Sequence, residues 1–176
     1  THKGIIRGRG MKLKHAVKVV TSSQKVQAEF AESKEKIALG LRFLLGKNLM
    51  VKHTDSFLFP NIVMVDYYLN NVARFKALIV CSQVSEGITQ VSIRLLYNFK
   101  LLNPIIRIFL PILSRKVIAQ DLEITELQYE NQKAFSNQKE MYSECDLIHN
   151  KVKLVRKSTL EGKEIQESET TIHFQL

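Results

Sequence analysis

From Met11 to Val20 the chain alternates, with Met11, Leu13, His15, Val17 and Val19 on one side and Lys12, Lys14 and Lys18 on the other. A period of two is the pattern of a half-buried β-strand. Ser22-Ser23-Gln24 supplies a turn, and Val26, Ala28 and Phe30 against Lys25, Gln27 and Glu29 give the hairpin partner. Ile37 to Leu45 is apolar but holds Gly40 and runs into Gly46, which predicts a short helix or loop. Ser56 to Leu69 carries Phe57, Phe59, Val63, Val65 and Tyr67 around Pro60, a strand interrupted by an edge or bulge at the proline. Phe75 to Val84 and Gly87 to Lys100 form a pair about Ser85-Glu86-Gly87. In its second member Val91, Ile93, Leu95, Tyr97 and Phe99 alternate with Ser92, Arg94, Asn98 and Lys100.

After Lys100 the period changes. Asn103 offers an N-cap and Pro104 the first helical position, where a missing N–H costs nothing. The segment to about Gln138 reads as one long helix, with Pro111 marking a kink or a second start. Asp146 to Leu160 predicts a shorter helix, and Lys163 to Leu176 ends in a weak alternation that suits an edge strand or a tail. Strands followed by a long helix predict an α+β domain of the helix-grip (START-like) kind. In it a curved antiparallel sheet of five to seven strands surrounds the long C-terminal helix, and residues 1–176 make a single domain.

On that helix one acid is out of place. At 100° per residue, Ile106, Leu110, Leu113, Val117, Ile124 and Phe135 lie within about 80° of Asp121. Arg115, Lys116, Glu123, Glu126, Glu130 and Lys133 lie opposite. A buried unpaired carboxylate costs several kcal/mol, so such groups are paired, protonated or bound to metal. Asp121 is therefore expected to be buried, facing the sheet. A core salt bridge and the mouth of a cleft are the plainer alternatives to a site.

Composition narrows the function classes. With 176 residues and 45% apolar content the chain can hold one real core. No apolar run is long enough for a membrane span. Cys81 and Cys145 are too few for a disulfide framework or zinc cluster and fit a cytoplasmic setting. The net charge of +9 is concentrated near the N-terminus in Arg7, Arg9, Lys12, Lys14 and Lys18. Without recognition helix, finger spacing or stacking motif, those cations read as the wet face of a strand, and nucleic acid is not expected as a partner. Of the histidines, His15 lies among apolar strand residues, His53 is assigned to a polar loop, and His149 one turn after Asp146 could form a carboxylate–imidazole pair.

The order Phe59-Pro60-Asn61, a strand, Ser85-Glu86-Gly87-Ile88-Thr89, then a long helix with Val117-Ile118-Ala119-Gln120-Asp121-Leu122-Glu123 resembles the catalytic domain of Rieske non-haem iron oxygenases. The resemblance covers His2 to about Leu160. It implies that Asp121 is the carboxylate ligand of a mononuclear Fe(II), with Gln120 in place of the usual Glu and Gln128 in the following Gln-containing turn. His2-Lys3-Gly4 looks like the family's second histidine, which makes His2 the other metal ligand in this chain. The first histidine and the Rieske [2Fe–2S] domain would precede the sequence, so the resemblance implies a truncated oxygenase, inactive alone.

The same resemblance implies an enzyme that activates O₂ to hydroxylate or demethylate an apolar or aromatic substrate, as a mono- or dioxygenase. Electrons would come from a reductase or ferredoxin through the Rieske cluster, and the full-length form could be a homotrimer. No catalytic side chain beyond the metal ligands is implied. A facial set of two imidazoles and one carboxylate leaves positions open for O₂ and substrate, which accounts for an acid on an apolar stripe. Two other readings stand beside it: a non-catalytic helix-grip module that binds a lipid or other hydrophobic ligand, and a degenerate or split gene product. The abrupt start at Thr1 also fits a removed tag, which would make His2 a cloning remnant.

Overall fold

The computed structural model describes residues 14–34, 50–69, 73–135, 143 and 146–175. Its strands are β1 (Lys14–Ser22), β2 (Lys25–Lys34), β3 (Met50–Leu58), β4 (Ile62–Leu69), β5 (Ala73–Ser85), β6 (Ile88–Asn98) and β7 (Ser168–Gln175). Among the described residues a 3-10 turn (Lys100–Leu102) and two α-helices, α1 (Asn103–Ala134) and α2 (Leu147–Leu160), lie between β6 and β7 in sequence. All seven strands form one antiparallel sheet in the order β6-β5-β4-β3-β2-β1-β7. The first six make a meander. The chain then crosses from the β6 edge to the β1 edge by way of the helices, and β7 pairs with β1.

The α+β class and the antiparallel sheet agree with the sequence. The stretch around Pro60 does not. It is two strands, β3 and β4, joined by a turn at Phe59-Pro60-Asn61. Asn61 pins this turn to β5, accepting from the Cys81 amide at 3.0 Å and donating its side-chain N–H to the Cys81 carbonyl at 2.9 Å. β3 hides from a periodicity test because two of its inward positions are polar, His53 and Asp55 between Val51 and Phe57. The segment predicted as a short helix or loop at Ile37–Leu45 lies outside the described residues.

Register fixes the faces. Val17, Phe30, His53, Tyr67, Phe75 and Tyr97 are successive cross-strand partners, so they share one face, here called inner. The core lies on that face, in two parts. Val17, Val19, Val26, Ala28 and Val155 form one cluster, with Phe30, Phe57, Leu147, Ile148 and Val152 packed around it. Ala73, Phe99 and Ile106 form the other, flanked by Leu69, Phe75, Tyr97, Leu102 and Leu110.

The helix that covers the β1–β2 end of the sheet is thus the short one, α2, through Leu147, Ile148, Val152 and Val155. This spacing puts one stripe against the sheet. The long helix α1 buries only Ile106. It starts with Asn103 as its first residue, and the Asn103 side chain accepts from the Phe99 amide at 2.7 Å instead of capping the helix. It then runs unbroken through Pro111. Its far end reaches the β5–β6 turn, where the Tyr129 hydroxyl would lie 2.9 Å from a Cβ placed on Gly87. Gly87 has φ +74°, a conformation glycine adopts without strain.

The opposite face is wet. Lys18 pairs with Glu169 at 2.8 Å, and Asp66 receives both Arg74 (2.8 Å) and Lys76 (2.9 Å). Burial works to raise the Asp66 carboxyl, but the hydrogen bonds and charges of Arg74 and Lys76 outweigh it and hold the group below the usual carboxylate value.

Candidate functional site

Asp121 stands mid-helix, as the sequence predicts, but it is exposed. The helical phase is not at fault. Ile106 is buried, and Leu110, Leu113 and Val117 on the same stripe are half-buried, while Asp121, Ile124 and Phe135 further along are exposed. Periodicity identified which side would be covered; the described residues cover that side only as far as Gln120. The expectation of a buried Asp121 is corrected on that ground. Thr125 donates its hydroxyl to the Asp121 carbonyl at 2.7 Å, a turn-to-turn bond within the helix.

Beside Asp121, Gln120, Glu123, Ile124 and Leu127 line an open depression of about 320 Å³. Their i, i+3, i+4, i+7 spacing makes them one face of α1. Among the described residues no three His, Cys, Asp or Glu side chains are grouped to hold a metal ion. Of the donors implied by the resemblance, only Asp121 belongs to those residues, and His2 lies outside them. The described donor set therefore does not by itself fit a mononuclear iron site.

A second cluster escaped the sequence reading. His53, assigned to a loop, is in the middle of β3 on the inner face, and its side chain is 12% exposed. Its Nε2–H donates to Oδ1 of Asp55 at 2.7 Å. The imidazole is sandwiched between Phe30 (centroids 4.4 Å apart, planes 13°) and Tyr67 (4.3 Å, 4°). Phe75 continues the row beyond Tyr67 at 6.2 Å. Four neighbouring strands each contribute one ring, because Phe30, His53, Tyr67 and Phe75 are in register.

The chemistry of this pair follows from its geometry. An ionised carboxylate only accepts, so Asp55 fixes the proton on Nε2. Nδ1 is then an acceptor in the neutral ring and a donor in the imidazolium. The two stacked rings hold the plane, so the second nitrogen has a defined direction on an otherwise apolar face. The one signal in the sequence was the i, i+2 spacing of His53 and Asp55, which in a strand puts both on one face.

The other histidine candidates resolve differently. The Asp146 carboxylate accepts from the Ser143 amide (2.7 Å) and hydroxyl (2.9 Å). Those bonds, and more weakly the charge of His149, hold its carboxyl below the usual value. His15 lies in β1 and His173 in β7. Cys81 is a free thiol in β5. No helix is long and apolar enough among the described residues to cross a membrane. Comparison with protein-family models, with curated proteins and with solved structures gives no match to this chain.

Proposed function

We propose that this chain is the C-terminal portion of a Rieske-type oxygenase catalytic domain, contributing the carboxylate Asp121 and an apolar substrate face to a mononuclear Fe(II) site that further residues complete. The observation that carries this reading is the order of elements. A six-stranded meander with Phe59-Pro60-Asn61 at its β3–β4 hairpin and Gly87 at its last leads into the long helix that bears Val117–Glu123. The finer helix-grip description, with the sheet curled about that helix, belongs to the same proposal. So do the [2Fe–2S] domain, the external electron donor, the cytoplasmic setting and a homotrimeric full-length form.

Iron would supply O₂ activation in the assembled domain, and no step through it follows from the described residues. The role of these residues is to bind and orient. The inner face is apolar and half-buried along Val65, Tyr67, Phe75 and Ile79, and His53 adds one directional polar contact held by Asp55. An apolar or aromatic substrate with a single carbonyl or hydroxyl suits that surface. The same face would also serve a non-catalytic module for a hydrophobic ligand. Only the oxygenase reading requires Asp121.

Anaerobic Fe(II) titration of the chain and of Asp121→Ala separates the two. The expected result is uptake weaker than roughly 1 μM, which corresponds to about −8 kcal/mol, and weakened further by Asp121→Ala. Stoichiometric submicromolar uptake would contradict a fragment that needs completion. Uptake unchanged in Asp121→Ala would remove the carboxylate from its role.

A further inference from the structure

The first half of α1 is apolar on two sides. Ile106 and Leu110 pack into the core at this end of the sheet, and Leu113 and Val117 continue the same stripe, with Ile106 buried and the others half-buried. Ile105, Ile108, Phe109 and Ile112 fall on a separate arc about 100° wide, centred roughly 120° round the axis. Those four are exposed, Ile108 at 66%, Phe109 at 62% and Ile112 at 54%, and Leu101 just before them is 95% exposed. A contiguous outward stripe of large aliphatic and aromatic side chains marks a surface that meets another phase or partner.

Charge identifies the kind of partner. No acid occurs between Glu86 and Asp121, whereas Arg94, Lys100, Arg107, Arg115 and Lys116 all fall in that stretch. Lys116 lies on the exposed arc itself, Arg115 borders it, and Lys100 precedes it. Asp121, Glu123, Glu126 and Glu130 then make the second half of α1 acidic. The helix is therefore polarised, basic where its outer apolar stripe is exposed and acidic beyond.

We infer that the Leu101–Lys116 end of α1 docks on an anionic lipid bilayer surface. Leu101, Ile105, Ile108, Phe109 and Ile112 enter the headgroup–acyl boundary while Lys100, Arg115 and Lys116 meet lipid phosphates. Such a helix lies in the interface and does not cross it, in keeping with its length of apolar sequence. The acidic second half stays off the membrane, so the attachment is at one end. This inference rests on the exposed stripe and its charges, independently of any oxygenase role.

Co-sedimentation with vesicles tests it, using phosphatidylcholine alone and phosphatidylcholine with about 30% phosphatidylserine. Capture by the anionic vesicles is expected to exceed capture by the neutral ones roughly tenfold and to fall when salt is raised to about 0.5 M. The double substitution Ile108→Ser, Phe109→Ser should reduce it roughly tenfold, and Arg115→Glu with Lys116→Glu should do the same. Ile124→Ser with Leu127→Ser, on the acidic half, should leave it unchanged. Thermal melts of each variant confirm folding, which exposed positions should preserve. Absence of capture, equal capture by both vesicles, or indifference to the Ile108/Phe109 change in a folded variant would overturn the inference. So would a dimer in light scattering that the same change dissociates, since the stripe would then face a second copy.

Discussion

Thr21 is fully buried beside Val26, and its hydroxyl oxygen has no hydrogen-bond partner among the described residues. A buried hydroxyl that lost its water without gaining a partner is destabilising, and valine has nearly the same shape. Thr21→Val should therefore raise stability by about 1 kcal/mol. Urea denaturation checks this, and a loss of stability would show that the hydroxyl is bonded. Asp66 behaves oppositely. Arg74 grips it with two bonds, Nε to Oδ1 at 3.0 Å and the terminal nitrogen to Oδ2 at 2.8 Å. Because its carboxyl is held below the usual value, it stabilises the fold above the unfolded-state pKa and loses that contribution as pH falls through the folded one. Wild type should exceed Asp66→Asn by roughly 1–2 kcal/mol at neutral pH, with the gap closing below about pH 4. A gap that widens in acid would reverse the assignment.

At the scale of elements, the two helices exchange the roles that length suggests. Val155 in α2 is 0% exposed against β1 and β2, whereas Ile124 in α1 is 42% exposed. Val155→Ala should cost about 2 kcal/mol and Ile124→Ala less than about 0.5, measured by chemical denaturation. Equal costs would mean that α1 is covered after all. Sequence made β2, β6 and α2 legible because their inner and outer positions differ largely in polarity, and α1 because Asn103-Pro104 opens a run of helical spacing. It concealed β3 because His53 and Asp55 occupy inner positions, and it read Pro60 as a bulge where the proline closes a hairpin. Periodicity also named the side of α1 that carries Asp121. It could not say how far along that side the sheet extends, which depends on strand placement and not on local pattern.

At the scale of the whole molecule, the described residues form a sheet with core clusters at two ends of one face. α2 closes one end, and the start of α1 closes the other. Between them runs the ring row Phe30, His53, Tyr67 and Phe75, and beyond them α1 presents Asp121 and the depression at Gln120, Glu123, Ile124 and Leu127. The proposed function assigns Asp121 and His2 as two ligands of one metal ion and the inner face of the sheet as the substrate surface. Manganese(II) titration of the chain, followed by NMR, tests that assignment most directly. An ion shared by two ligands broadens resonances near both. The prediction is that signals of the residues flanking Asp121 and of the His2 ring broaden together at the same ion concentration, and that Asp121→Ala abolishes both effects. Broadening at either residue without the other, or persisting at His2 in Asp121→Ala, would contradict a common metal site.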